Sequence, residues 1–218
     1  MCIRDRPIAS LQQAAGVRYV ERDALIPGAQ QALPADASGT ADCTDLWELA
    51  GIDAEAAWGT ARGDDAPVVA IADGGFLTSH EEIEDRISGQ YDYGNGDPYA
   101  EVEWSVSIPA HGTFIGAIIA GNGDNGAGRV GIVPAGRLNL LKIADDSGAF
   151  YFSYAASALA DIAEGDLGIR VVNYSIASSS SSSAFQDAVA SLADADILMV
   201  AAAGNCGSAS CSDADNDS

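Results

Sequence analysis

Basic residues are scarce in this 218-residue chain: ten Lys and Arg stand against 32 Asp and Glu, a formal charge of -22. A surface this negative has no electrostatic hold on phosphate backbones or anionic lipid, so nucleic acid and membrane drop out as partners. Most of that charge reads as a solvated acidic surface. No run of 18 or more apolar residues occurs, so nothing is long enough to span a bilayer as a helix. The opening Met1-Cys2-Ile3-Arg4-Asp5-Arg6 has no hydrophobic leader segment, and residues 1–6 read as an artefactual N-terminus. Histidine is limited to His80 and His111. Cysteine is limited to Cys2, Cys43, Cys206 and Cys211, none with a histidine near it, so zinc spacing is not matched. Cys206 and Cys211 lie five apart in a Gly/Ser-rich stretch and would close a small disulfide in a secreted protein.

What is present is apolar residue in short runs. With 48% hydrophobic residues, 24 Gly and 7% aromatics, the chain has material for one sizeable core in an α/β sheet with tight turns. Buried strands are predicted at Val68–Ala72, Leu138–Ile143, Val171–Ser175 and Ile197–Ala203, and helices at 114–120, 153–164 and 185–192. Strand alternating with helix gives a doubly wound, mostly parallel sheet with helices on both faces. Leu46–Leu49 and Ile52–Trp58 read as short helical pieces whose tryptophans anchor the core. Asp92–Pro98 and Asn122–Gly126 are turn-rich loops with oxygens suited to calcium but without EF-hand spacing. The serine run Ser178–Ser183 reads as a flexible loop. A nucleotide-binding domain using Gly121-Asn122-Gly123 or Gly126-Ala127-Gly128 is a competing reading, but these glycines follow a helix and no G-x-G-x-x-G follows the first strand.

The first strand ends on Asp73-Gly74-Gly75, so its carboxylate emerges at the carboxyl rim of the sheet, where open α/β sheets bind ligands. His111-Gly112-Thr113 opens a helix 38 residues later. A serine hydroxyl needs a base within hydrogen-bond reach, and a buried carboxylate fixes that base's tautomer and stabilises the imidazolium as it forms. The positive end of a helix disfavours imidazolium while Asp73 favours it, a balance that would hold His111 neutral yet ready near pH 7.

Asp73-Gly74-Gly75 with His111-Gly112-Thr113-Phe114 resembles the first two blocks of the subtilisin-like serine peptidase triad. Gly74 replaces the usual Thr, Phe114 the second His and Ala117 the last Gly. Ala201-Ala202-Ala203-Gly204-Asn205 resembles the block whose Asn donates to the oxyanion. Val171-Val172-Asn173-Tyr174-Ser175-Ile176-Ala177 and Asp145-Asp146-Ser147-Gly148 resemble the two walls of the peptide cleft. The resemblance implies Asp73, His111 and Asn205 as catalytic groups. It implies Asp146, Ser147, Gly148, Ser175, Ile176 and Ala177 as substrate-binding residues, with an extended polypeptide added between the walls as a strand. It makes His80, despite Glu81 and Glu82 beside it, structural, and it allows structural calcium with no cofactor needed for catalysis; metal ligands stay unassigned.

The string Gly16-Val17-Arg18-Tyr19-Val20-Glu21-Arg22-Asp23-Ala24-Leu25-Ile26 resembles the end of the inhibitory propeptide of that family. The implied organisation is the propeptide end at 7–28, a linker with the maturation cleavage at 29–44, and the first part of a catalytic domain at 45–218. The family's G-T-S-M-A-like nucleophile segment is absent, so the implied function is a secreted serine endopeptidase of which this fragment is expected to be inactive. A non-catalytic peptide-binding homologue is the alternative.

Overall fold

The computed structural model describes residues 25–26, 49, 51–102, 111–123 and 128–204. A five-stranded parallel sheet forms its centre: β2 (Val68–Asp73), β3 (Ile87–Asp92), β4 (Leu138–Lys142), β6 (Ile169–Tyr174) and β7 (Leu198–Ala201), in the order β3-β4-β2-β6-β7. A separate two-residue ribbon pairs β1 (Leu25–Ile26) antiparallel with β5 (Phe150–Tyr151). The helices are α1 (Ala54–Trp58), α2 (His111–Ala120), α3 (Phe152–Glu164) and α4 (Ser183–Asp194).

The period of two along β2 and β4 divides the core. Ile71, Leu138 and Leu140 face α2 and pack with Phe76, Ile83, Ala117 and Ala120. Ala70, Ala72 and Leu141 face the other way, onto Ala155, Leu159 and Ile162 of α3 and Ala188 and Leu192 of α4. Helices therefore cover both faces, as the alternating pattern requires.

Three features depart from the sequence reading. β3 was not anticipated, because Ile87-Ser88-Gly89-Gln90-Tyr91-Asp92 carries too many polar residues to read as an apolar run; an edge strand tolerates them. β2 connects to β3 through a single 3-10 turn, Glu84–Arg86. Trp58 is half-buried and donates its indole N–H to the Ile132 carbonyl at 2.9 Å, so it closes a loop more than it anchors the core. The serine run is only partly loop: Ser182 is buried, caps α4 by accepting from Phe185 N at 3.3 Å, and Ser183 begins the helix. Residues 7–24, the helical piece's Trp47, and all four cysteines lie outside the described residues. On β7, Leu198 and Val200 turn outward with 62% and 49% exposure.

Candidate active site

β2 turns Val69, Ile71 and Asp73 to the α2 side, and α2 begins at His111. His111 Nδ1 lies 2.8 Å from Asp73 Oδ2 and 3.0 Å from Oδ1. Close packing makes this approach possible. A Cβ on Gly112 would come within 2.6 Å of the Gly75 carbonyl, and Thr113 Oγ1 accepts from Leu77 N at 2.8 Å, tying the first turn of α2 to the segment that follows β2. Gly74 N donates to Asp73 Oδ1 at 2.7 Å, which fixes the carboxylate.

The Asp73 side chain is 5% exposed and the His111 side chain 32%. With Nδ1–H donating to a buried carboxylate, Nε2 is left as the acceptor, the arrangement a general base needs. The hydrogen bond to Asp73 raises the His111 pKa, burial lowers it, and Asp73's charge raises it again; the net is above the ordinary histidine value.

Lys142 escaped the sequence reading. It is 2% exposed at the end of an otherwise apolar strand, with its ammonium 2.8 Å from Asp92 Oδ2, itself 1% exposed, and 3.5 Å from Asp146 Oδ1. Burial lowers its pKa, and the bond to Asp92 with the charges of Asp92 and Asp146 more than offsets that, so the net shift is upward. The available signal was chemical: a lysine in a buried strand requires an acid nearby. Asp92, read as part of a surface loop, is instead that acid.

The proposed cleft walls are placed as follows. Asp145 closes its own turn, accepting from Ser147 N at 2.9 Å and Ala149 N at 3.0 Å. Burial works to raise its pKa, and the bonds from Ser147 and Ala149 with Lys142's charge bring it below the usual value. Asp146 is turned to Lys142 and Asn95, and the strand edge of this wall lies two residues past Gly148, at Phe150–Tyr151, where Leu25–Ile26 pairs. On the other wall, Asn173 Nδ2 donates to Ser175 Oγ at 2.8 Å. Ile176 is 6% exposed with its side chain in the core, so it has chiefly backbone to offer a ligand, while Ala177 is half-buried. Asn205 lies outside the described residues.

The two candidate calcium loops differ. In 92–98 the oxygens are committed: Asp92 accepts from Gly94 N, Asn95 N, Asn95 Nδ2 and Lys142 Nζ, and Asp97 Oδ1 accepts from Tyr99 N. The ammonium of Lys142 already sits on Asp92 and balances its charge. Beside 122–126, part of which lies outside the described residues, Glu82 is 2% exposed; its Oε1 accepts from Arg129 N at 2.8 Å while Oε2 has no partner. Burial is the main cause of its raised pKa. A buried carboxylate oxygen left over in this way fits a cation. No group of three metal-ligating side chains occurs among the described residues.

Of the two glycine segments in the nucleotide reading, Gly126-Ala127 of the second lies outside the described residues, and the first is engaged within the fold. Gly121 N donates to Ala117 O and Asn122 N to Glu82 O, and the Glu82 carboxylate beside them would repel a phosphate. Among the described residues no helix is long and apolar enough to cross a membrane.

Comparison with known proteins gives one consistent result. The profile of the subtilase family matches residues 64–217. Halolysin-like extracellular serine protease Nep of Natrialba magadii is 32% identical over 138 residues, 57% of this chain and 23% of its own length. Thermitase of Thermoactinomyces vulgaris is 28% identical over 156 residues, 72% of this chain and 53% of its own. An alkaline protease of Shouchella clausii is 28% identical over 205 residues, 94% of this chain and 48% of its own. The chain thus spans about half the length, or less, of these curated relatives.

Proposed function

The chain belongs to the subtilase family, and from that premise we propose that it is the acid-and-base half of a secreted serine endopeptidase, with Asp73 orienting His111 and His111 the general base. The observation that carries this reading is the 2.8 Å contact between His111 Nδ1 and a buried Asp73 at the carboxyl end of β2. In that role His111 Nε2 takes the proton of a serine hydroxyl supplied by a later part of the protein and returns it to the leaving amine. Asp73 keeps Nδ1 protonated, so that Nε2 is the free base, and stabilises the imidazolium without taking its proton. Asn205 donates to the developing oxyanion from the segment after β7.

Substrate is an extended polypeptide lying as an added strand on Phe150–Tyr151, between the 145–148 turn and Ser175–Ala177. Support comes from the antiparallel pairing of Leu25–Ile26 with that edge, which is how a peptide would lie there. The same pairing supports reading residues 7–28 as the end of a propeptide that occupies the cleft until cleavage between 29 and 44. A structural calcium ion, if held, would take Glu82 Oε2; it would order the neighbouring loop and supply no chemistry to the reaction.

The test is peptide hydrolysis by the complete gene product containing this chain. Asp73→Asn is expected to lower kcat by about 10⁴-fold through the wrong histidine tautomer, and His111→Ala to abolish activity to background. Hydrolysis that survives both substitutions, or a complete product without peptidase activity, sinks the reading.

A further inference from the structure

Three ionisable side chains stand abreast at the carboxyl rim of the sheet. Asp73 on β2 and Asp92 on β3 are both register partners of Lys142, on the strand between them. Register partners in a sheet share a face, and neighbouring strands lie about 4.8 Å apart, so a four-carbon lysine stem can serve an acid on either side. Of the two register partners, only Asp92 holds the ammonium. Lys142 Nζ bonds Asp92 Oδ2 at 2.8 Å, with Asp146 as its second ion partner at 3.5 Å. Asp73 instead accepts from His111 and Gly74 N.

Asp92 is built for this hold. Its Oδ1 accepts from Gly94 N at 2.8 Å and Asn95 N at 3.0 Å, and Asn95 Nδ2 lies 3.2 Å from Oδ2 while also donating to Asp146. Gly94 permits the loop to lie this tightly against the end of β4, since a Cβ there would stand 2.2 Å from the Ala144 carbonyl.

We propose that Asp92 is a positioning residue for the Asp73–His111 pair: by holding the Lys142 ammonium on the β3 side, it keeps a competing cation off Asp73 and leaves that carboxylate to the imidazole. An ammonium on Asp73 would take an acceptor oxygen from Nδ1–H and place a positive charge beside the site where the imidazolium forms, weakening the base twice over. The charged groups paired with the ammonium are Asp92 from β3 and Asp146 from the turn after β4, and Asp73, with His111 of α2 on it, is its register neighbour on β2.

This inference rests on the proposed peptidase reading for its meaning, but its test needs no catalysis, so the two can fail separately. The His111 imidazole is titrated by NMR in the 218-residue chain. Asp92→Asn is expected to lower the His111 pKa by about one unit as the ammonium moves toward Asp73, and the double variant Asp92→Asn with Lys142→Met is expected to restore it. A folded Asp92→Asn variant that titrates like wild type, or a double variant that keeps the lowered value, overturns the proposal. Should Asp92→Asn fail to fold, Asn95→Ala loosens the same grip from the solvent side. It is expected to lower the His111 pKa by roughly a few tenths of a unit, and no shift there overturns the proposal equally.

Discussion

The ring of Phe150 packs against Gly74, one residue past the Asp73 carboxylate. A Cβ at position 74 would lie 3.0 Å from Phe150 Cζ, so the aromatic ring fills the room that the family's usual Thr would use.

Gly74→Thr is accordingly expected to cost about 1 to 3 kcal/mol by overpacking, and much less in a Phe150→Ala background. A double-mutant cycle from denaturant unfolding measures this as a coupling of about 1 kcal/mol or more. Additive effects would show that the two side chains do not share the space.

The raised His111 pKa fixes a direction for pH dependence. Its folded value lies above its unfolded one, so the stability it contributes is complete below about pH 6.5 and is lost as pH rises through the folded pKa. Catalysis runs the opposite way, because only neutral His111 can accept a proton. The acid limb of kcat/KM in the complete enzyme is expected above the ordinary histidine pKa, and Asp73→Asn should move the NMR titration of His111 down. His80 is the only other histidine, so the assignment is direct.

Glu82 gives a test for calcium. Its carboxylate is buried with one oxygen unpartnered, and burial raises its pKa, so a cation at Oε2 competes with protonation and binds better as pH rises. Millimolar calcium is expected to raise the melting temperature of the wild-type chain and to leave that of Glu82→Gln unchanged. An equal rise in both would place the ion elsewhere.

Ser182 caps α4 from a buried position. Ser182→Ala is expected to destabilise by about 1 kcal/mol, lowering Tm by roughly 2–4 °C for a chain of this size. Ser179→Ala, on an exposed neighbour without that bond, should change neither value measurably.

The parts of the fold legible in sequence were those with unbroken apolar runs. Val68-Val69-Ala70-Ile71-Ala72 needs burial on both faces, which only a central parallel strand provides, and Asp73 at its end could then point only to the rim. α2 was legible because the small residues Gly112, Gly116 and Ala117 leave nothing to keep it off the sheet. β3 was hidden because its partner β4 satisfies it through backbone, which leaves no mark on side-chain pattern. Asp92 and Lys142 were hidden for a related reason: 50 residues separate them, and only the register of β3 with β4 brings them together. Loop grammar placed Asp92 correctly at a turn, since it does accept from Gly94 N and Asn95 N, but could not say that its side chain, unlike exposed Asn95 and Gly96 beside it, was buried.

β7 has a consequence for handling the molecule. Its outer side chains are branched and aliphatic, and among the described residues no strand pairs along its far edge. The opposite margin, β3, carries Ser88, Gly89 and Gln90 between Ile87 and the less exposed Tyr91. Among the described residues β7 is therefore the more adhesive of the two borders. Preparations of this polypeptide should self-associate through Leu198 and Val200, and lysine at position 200 is the single change best suited to keep it dispersed.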